Sequence, residues 1–463
     1  MAFCSMPRCG RPALVLGLVA LATALPGASA RAMTLTEALV SAYTTNPQLA
    51  AAQAELRKTD EAVPQALAAG RPTVEAEGGL AANNGAAAAN SHGSTNTANA
   101  KAQAGPVGAI ALKVPIWTAG RVGAATAEAR SRIEAGRAML RATEQDTLLR
   151  AATAYVDVLR AQNALDDDRR HEQELGEELA SAERRQAAGE LRATDVAQTR
   201  TQVAQAEARR LQAEGDLDSA REVFRGVVGI EPRLLQPPAM PTGLPTSRDE
   251  VIAASADNPN LAAAADTVDA ARHSVDGALA QFRPSIGASA SIGAPYYSGE
   301  VLLTIPLFDG GLAASQSRGA KQELQQRRLE LDGERQSVRQ DALVAWQTLS
   351  SARSSIAAFQ TQVESSRAAA EGLKREQRLG LRTQIDVLLA EQQQLDAELG
   401  LENAKRDAIV AAYRVLAAIG QLSPEALHLP VTPYDPVTHA TQVAGKMWDG
   451  NELHDAYFGR TRP

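Results

Sequence analysis

The second half of the chain repeats the first half. The segment GELRATDVAQTRTQVAQAE, which begins at Gly189, returns 191 residues later as GLRTQIDVLLAEQQQLDAE, which begins at Gly380. The same offset relates several further pairs of residues: Pro115 and Pro306, Gly120 and Gly311, Arg184 and Arg375, Asp195 and Asp386, and Gly229 and Gly420. Because so many spacings are the same, we infer that the chain contains two copies of one structural unit.

One insertion distinguishes the two copies. Upstream of the long segments, NPQLAAA at Asn46 matches NPNLAAA at Asn258 with an offset of 212, so the first copy holds 21 additional residues between Pro72 and Pro115. They fall in residues 81–105, a stretch that is low in charge and rich in Asn, Gly, Ser and Ala. That composition predicts a flexible loop.

The N-terminus has the pattern of an export signal. Two arginines precede a small and apolar run from Ala13 to Leu25, and Ala28-Ser29-Ala30 follows as a cleavage site, so we expect residues 1–30 to be a secretory signal peptide. The run is shorter than the roughly 20 residues of a membrane-spanning helix. Both cysteines, Cys4 and Cys9, lie within this signal, so we expect no disulfide in the exported chain.

Charge and motifs argue against nucleic-acid binding and catalysis. Without residues 1–30 the chain has 45 basic and 54 acidic residues, and this net charge of −9 argues against a nucleic-acid partner. The six histidines stand apart, with no pair at the H-x-x-x-H spacing of a metal site. The sequence has no G-x-S-x-G, P-loop or G-x-G-x-x-G motif. We therefore expect no enzymatic activity and no metal site.

Each copy contains a predicted hairpin in which apolar and polar residues alternate with a period of two. We expect strands at about 71–82 and 106–117, and at about 283–293 and 298–308. The apolar positions share one face: Val74, Ala76, Leu80, Ile110, Leu112, Val114, Ile116, Ile286, Ala288, Ala290, Ile292, Val301, Leu303, Ile305 and Leu307. Small or polar residues occupy the other: Thr73, Glu75, Glu77, Lys113, Ser285, Ser289, Ser291, Glu300 and Thr304.

Two interpretations of these strands stay open. A lone hairpin of this kind usually covers a soluble core, but strands of about 10 residues with an apolar outer face also meet the requirement of a transmembrane β-barrel. Four strands cannot close a barrel, because about eight is the smallest number that does. In a membrane the chain would have to oligomerise: two copies would give eight strands and a filled barrel, and three would give twelve strands and a lumen.

Two very long helices follow the hairpins. Residues 119–188 and 310–379 contain no proline, and each segment would span roughly 100 Å as a helix. Both are too polar to lie in lipid. In the second, apolar residues recur every seven positions, with one step of eleven: Leu324, Leu331 and Val338, then Leu349, Ile356, Val363 and Ala370. This spacing predicts a coiled-coil seam with a shift of phase.

Glycines mark the far ends of these helices. Gly189 and Gly380 follow the predicted helices as C-terminal glycines do, and we expect the chain to reverse in tips at about 189–195 and 380–386. The returning segments are again helical in pattern. Each copy therefore predicts one helical hairpin.

Charged residues occupy both reversals. Asp195 and Asp386 fall in the first turn of the returning helices, with Thr194 or Thr383 as candidate N-caps. One interpretation is that each aspartate caps its helix and complements the helix dipole. The other is that the tips meet at the far end of the stalk, where a ring of aspartates and Arg382 closes a bore or docks a partner.

In the order of its motifs and in its duplicated layout, the chain resembles the TolC family of outer-membrane channel proteins. The resemblance lies in TLTEALVSAYTTNPQLAAAQAEL from Thr34, in RPTVEAEGG, VPIWTAGR and IPLFDGG, and in the two G…DV tips. It implies a homotrimer, with a twelve-stranded barrel in the outer membrane and a twelve-helix tunnel across the periplasm. It also implies a periplasmic adaptor and an inner-membrane transporter as partners at the tips, and no cofactor.

The resemblance extends to single residues. It places Asp195, Arg382 and Asp386 where the family has polar links that hold the periplasmic end shut. Gln377 and Leu389 depart from the pattern, because the best-known member has a tyrosine and a second aspartate at those places, so we expect a thinner closing network. The C-terminal run PVTPYDPVTHATQVAGKMWDG resembles tails of the branch associated with type I protein secretion, which favours protein cargo.

The predicted fold is mainly α with a small β part: a coiled-coil tunnel and a shared transmembrane barrel with four strands per protomer. We expect the first repeat at 31–230, a linker at 231–246, the second repeat at 247–422 and a poorly ordered periplasmic tail at 423–463. The expected function is an outer-membrane exit duct for drug efflux or type I secretion. The alternatives are a periplasmic coiled-coil adaptor, which would need a lipoyl-like β-domain, and an exported hydrolase, for which no nucleophile can be assembled.

The inserted loop allows a test of orientation. An epitope tag placed next to Ser91 should be tolerated and should bind antibody on intact cells, because flexible loop tips accept insertions. The same tag placed after Glu190, at a tip, should bind antibody only after the outer membrane is broken. The reverse pattern of labelling would contradict the predicted orientation.

Overall fold

A computed structural model of the chain describes residues 32–83, 103–293 and 296–447. The expected signal peptide, most of the expected loop at 81–105 and the end of the expected tail lie outside the described residues. The described chain is mostly helical and contains a four-stranded antiparallel sheet.

Both copies have a similar order of elements, with short or entry helices first, then two strands, a long helix and a returning helix. The first contains α1 (Leu35–Thr45), α2 (Pro47–Asp60), α3 (Ala62–Ala68), β1 (Thr73–Asn83), β2 (Gln103–Trp117), α4 (Arg121–Ala187) and α5 (Ala193–Val228). The second contains α6 (Arg248–Ala254), a 3-10 turn (Ser255–Asp257), α7 (Pro259–Ala280), β3 (Ser285–Gly293), β4 (Tyr296–Thr304), α8 (Leu312–Arg378) and α9 (Gln384–Ala418). A short helix, α10 (Thr438–Val443), follows the second copy.

An asparagine near the start of each copy links the beginning of that copy to its end. Asn46 is the N-cap of α2: its side-chain oxygen accepts from the backbone N–H of Gln48 at 2.9 Å, and its Nδ2 donates to the Val227 carbonyl of α5 at 3.1 Å. Asn258 caps α7 in the same way, and its Nδ2 donates to the Ala418 carbonyl of α9 at 2.9 Å. The repeated NPxLAAA motif therefore ties an entry helix to the end of the returning helix.

The glycines that end α5 and α9 belong to the same junctions. Gly229 and Gly420 have φ values of +81° and +78°, a backbone conformation that glycine adopts without strain. A Cβ atom on Gly229 would lie 2.4 Å from the Thr45 hydroxyl, and one on Gly420 would lie 2.5 Å from the Asp257 carbonyl. A side chain at either place would push the entry helix away, which accounts for a glycine at the same point of both copies.

The sheet has the order β1-β2-β3-β4, and its register confirms the predicted alternation. The apolar residues of neighbouring strands align on one face: Val74, Leu112 and Ala290; Ala76, Ile110 and Ile292; Ala288 and Val301; Ile286 and Leu303. Polar contacts occupy the other face: Lys113 with Glu75 at 2.9 Å, Ser289 with Glu300 at 3.1 Å, and Ser291 with Ser298 at 2.8 Å. Large apolar side chains on the first face are exposed in the single chain.

The strands differ from their predicted bounds by three or more residues at two ends. β2 begins at Gln103, earlier than expected, and β4 ends at Thr304, although the alternation continues to Leu307. β4 ends at this point because Thr304 pairs with Ser285, the first residue of β3, and Pro306 has no N–H with which to extend the ladder. Its counterpart Pro115 lies inside β2, where the register shifts at a bulge.

The two long helices confirm the predicted stalk. α4 and α8 have 67 residues each, which corresponds to about 100 Å. α4 packs against α5, α7 and α9, and α8 packs against α7 and α9. Leu331, Val338 and Leu349 of the predicted seam are buried, and Ala342 and Ala345 fill the step of eleven residues between the last two. Within the described part of the chain, no helix is long and apolar enough to cross a membrane.

The C-terminal segment folds further than the sequence predicts. Residues 423–447 run along the first helices, where His439 Nδ1 lies 2.9 Å from Oδ2 of buried Asp60, and the Tyr434 N–H donates to the Tyr43 hydroxyl at 3.1 Å. These residues of the expected tail make defined contacts, and His439 gives the buried Asp60 carboxylate a polar partner at Oδ2. Residues 448–463 lie outside the described residues.

A buried tyrosine joins three parts of the chain and allows a test of the fold. The Tyr155 hydroxyl in α4 lies 2.8 Å from the Met33 carbonyl and 2.7 Å from the Gln236 carbonyl in the linker. Tyr155→Phe should destabilise the protein by about 1–3 kcal/mol, because buried polar groups lose a partner. Thermal unfolding of the detergent-solubilised protein should show a lower Tm.

The matched control is Tyr413→Phe. Tyr413 is also buried, but its hydroxyl has no hydrogen bond within the described ranges, so its removal should lower the Tm less. Equal shifts for the two variants would mean that the Tyr155 contacts do not stabilise the fold.

Candidate functional site at the hairpin tips

Both helical hairpins end in the same backbone turn. At the first tip, Gly189 has φ +80°; its N–H donates to the Gln186 carbonyl at 2.9 Å, and the Glu190 N–H donates to the Arg185 carbonyl at 2.9 Å. Gly380, with φ +76°, repeats this pair of bonds at the second tip. This is the Schellman arrangement, in which the left-handed residue is usually glycine. This backbone turn thus ends α4 and α8 at the glycines that the sequence predicted.

The second tip carries the predicted helix cap. Thr383 is the N-cap of α9, its hydroxyl accepts from the Asp386 N–H at 3.4 Å, and the Asp386 carboxylate accepts from the Thr383 N–H at 3.0 Å. The hydrogen bond from the Thr383 side chain, followed by that from its backbone, holds the pKa of Asp386 below its ordinary value. Asp386 therefore makes the capping contacts of the first interpretation within a single chain.

The first tip differs. Arg192, not Thr194, is at the N-cap position of α5, so the expectation that Thr194 caps this helix is wrong. The internal offset aligns Arg192 with Thr383, and a guanidinium can only donate hydrogen bonds, so it cannot accept from the helix N–H groups. Within residues 32–83, 103–293 and 296–447, the Asp195 carboxylate has no ion-pair partner, and the helix dipole acts on it instead.

Arg382 makes a local contact. Its Nε lies 2.8 Å from Glu376 Oε2, at the end of α8 in the same hairpin, and both side chains are about half exposed. In the described part of one chain, no hydrogen bond or ion pair joins Arg382 to Asp195. A latch formed by these residues stays a prediction, because it would require contacts between neighbouring copies.

A cluster of polar contacts lies above the tips, where the sequence analysis placed no site, and one of its hydrogen bonds joins the two hairpins. Gln384 of α9 donates through Nε2 to Glu178 Oε2 of α4 at 2.9 Å, and Gln377 of α8 contacts Gln384. Lys374 Nζ of α8 lies 2.5 Å from Oε1 of Glu391 in α9, a side chain that is only 6% exposed. A charged residue between Leu388 and Leu395 in an apolar seam was the signal that could have revealed this cluster.

Burial shifts the ionisation of several of these groups. It raises the pKa of Glu178 to about 7, and the negative charge of nearby Glu391 adds to the effect. Burial lowers the pKa of His171, which precedes Glu178 in α4 by about two helical turns. Burial would also lower the pKa of Lys374, but contact with Glu391 outweighs it and the net direction is upward.

Comparison with known proteins gives a consistent result. The family model described as outer membrane efflux protein matches residues 38–229 and 252–421. The chain is 31% identical over 446 residues to the outer membrane efflux protein BepC of Brucella suis, covering 94% of this chain and 95% of the relative. It is 27% identical over 312 residues to the alkaline protease secretion protein AprF of Pseudomonas aeruginosa, covering 62% and 64%.

Solved structures share the fold. The outer membrane protein VceC of Vibrio cholerae aligns with a TM-score of 0.72 at 20% identity, over 83% of this chain and 96% of that one. The channel CmeC of Campylobacter jejuni aligns with a TM-score of 0.75 at 14% identity, over 89% of both chains.

The tip residues allow a test that separates a latch from a helix cap. We expect Arg382→Ser combined with Asp195→Ala to raise single-channel conductance in planar bilayers without lowering the amount of assembled protein, because exposed ion pairs are individually worth about 1 kcal/mol or less and add up around a ring. The control is Arg378→Ser, which removes an exposed charge from the last turn of α8.

If the double variant assembles normally and its conductance equals that of the unmodified protein, these residues only cap their helices. The closing contacts would then lie in the packing around Val387 and Leu389.

Proposed function

This chain belongs to the outer membrane efflux protein family, and we propose that it is the outer-membrane exit duct of a tripartite export system. It would receive substrates from an inner-membrane transporter and pass them across the periplasm and the outer membrane. The observation that carries this proposal is the sheet with an exposed apolar face, from which two hairpins with helices of 67 residues extend.

The assembly we propose is a homotrimer. In one chain the sheet leaves β1 and β4 as edges, and a sheet in lipid must close because an unpaired edge would leave backbone groups without hydrogen bonds. β1 and β4 run antiparallel to each other, so β4 of one copy can pair with β1 of the next without changing the pattern. Three copies give twelve strands, and the polar face with Glu75 and Lys113 would then line a lumen.

The tips are the surface we propose for the periplasmic adaptor. Leu379 and Leu381 flank Gly380 and are 74% and 70% exposed, which places two large apolar side chains at the point furthest from the sheet. Exposed apolar residues grouped at one place often mark a protein contact. The periplasmic adaptor would in turn connect the duct to the inner-membrane transporter.

The names of the relatives bear on cargo in two directions. BepC is described as an efflux protein, and AprF as a protein for alkaline protease secretion. We propose export of small molecules, secreted proteins or both through the same duct. The alternative of a periplasmic adaptor does not account for the sheet, because a wholly periplasmic protein has no lipid against which to place its apolar face.

The assembly gives the direct test. The full chain should fractionate with outer membranes, require detergent for solubilisation, crosslink as a trimer and form ion channels in planar bilayers. As a control for the sheet, Val301→Asp should reduce insertion, because it places a charge on the apolar face, whereas Ser289→Asp on the polar face should insert normally. A soluble monomer would contradict the proposed function.

A further inference from the structure

Near the tips, a cluster of ionisable side chains lies at the contact between the two hairpins, and it contains buried Glu391, half-buried Glu178 and Lys374, and exposed Glu174. Glu178 precedes Gly189 by eleven residues, so it lies about 16 Å above the first tip along α4. Leu175 of α4 packs with Leu388 of α9 at the same level, so the contact between the hairpins is partly apolar and partly charged.

The charges in this contact do not balance. Glu178 and Glu174 on α4 and Glu391 on α9 are three carboxyl groups that act on one another and share a single ammonium, that of Lys374 on α8. Lys374 lies directly against Glu391. Glu178 is therefore the carboxyl that burial leaves with a neutral partner, the amide of Gln384.

Other charged groups nearby have their own partners. Arg367 pairs with Glu398 at 3.0 Å, and Arg170 pairs with Asp167. The positive charge of Arg209 in α5 helps to lower the pKa of His171, and Arg209 is not among the groups that act on Glu178. The cluster thus contains more negative than positive groups at the point where α9 rests on α4.

We propose that proton binding by Glu178 controls the docking of the second hairpin on α4, so that acid conditions favour a closed periplasmic end. This proposal rests on the proposed function as a channel. Neutral Glu178 keeps its hydrogen bond from Gln384, since its carbonyl oxygen still accepts, and it no longer repels Glu391. Ionised Glu178 opposes docking because its negative charge then lies, half-buried, near those of buried Glu391 and exposed Glu174.

The direction of the pH dependence follows from the two states of Glu178. In the docked hairpins burial, followed by the charge of Glu391, raises its pKa to about 7, and in separated hairpins water restores an ordinary value near 4.5. Below pH 4.5 the group is protonated in both states. Docking weakens as the pH rises from 4.5 to 7, and it stays at its weakest above that range.

His171 would act in the opposite direction. Burial lowers its pKa in the docked state, so protonation favours separation, and acid would open the contact. The sign of the pH effect therefore distinguishes the two residues.

The experiment measures channel closure at pH 7.5 and pH 6.0 in planar bilayers. With a pKa of about 7, the ratio of closed to open channels should rise about eightfold per protomer on acidification. Glu178→Gln should remove this response and keep the closed ratio high at both values. Glu177→Gln, which neutralises the exposed neighbour on the same helix, should respond like the unmodified protein.

Hydrogen exchange gives a second measurement that does not depend on conductance. Amides of residues 384–395 should exchange more slowly at pH 6.0 than at pH 7.5 after correction for intrinsic rates, and Glu178→Gln should remove the difference. An unchanged pH response in Glu178→Gln, or opening in acid, would overturn the proposal. A protein that forms no channels but shows the exchange effect would contradict the proposed function. It would still support the control of hairpin docking by Glu178.

Discussion

In both copies of the repeat, one asparagine side chain holds the first turn of an entry helix against the last turn of a returning helix. Asn46 and Asn258 use both ends of the amide, because the oxygen caps the entry helix while the nitrogen donates to a carbonyl of α5 or α9. These ties lie beside the middle of α4, where Arg150 donates to Gln48 at 2.8 Å. The strands therefore leave on one side of a fixed junction and the tips extend on the other, so the geometry of both functional ends depends on it.

The elements that could be predicted from the sequence are those whose partners recur at a fixed spacing. Period-two alternation predicted the faces of the sheet, and glycines at one offset predicted both tips. Contacts between distant segments could not be predicted in this way. His439 binds Asp60 across 379 residues, and Glu178 receives its hydrogen bond from Gln384 across 206, so neither pair has a local signature. Pro306 shows the same limit just beyond the end of β4. The alternation of apolar and polar side chains continues past Thr304, but it gives no information about the backbone N–H groups that a sheet requires.

The two copies share a backbone but have diverged in side chains at their tips. Both tips use a left-handed glycine and the same pair of backbone hydrogen bonds. The second has a reciprocal cap between Thr383 and Asp386, whereas the first has Arg192 in the capping position. The first N–H groups of α5 therefore have no side-chain acceptor at the cap. The repeat therefore specifies where the chain turns, and the individual side chains decide how firmly each tip is held.

Two kinds of polar contact near the tips differ in how much free energy they can contribute. Arg382 and Glu376 are about half exposed, so water screens their attraction and the pair is worth about 1 kcal/mol or less. Glu391 is almost completely buried, and the loss of its partner Lys374 would leave an uncompensated charge inside the protein. A partner protein that meets the exposed tip could replace the first kind of contact directly. Lys374 and Glu391 both belong to the second hairpin, so this pair stays intact when the two hairpins separate. The contact that separation breaks is the hydrogen bond from Gln384 to Glu178, and in our proposal the protonation state of Glu178 therefore adjusts the resistance to opening from about 16 Å above the first tip.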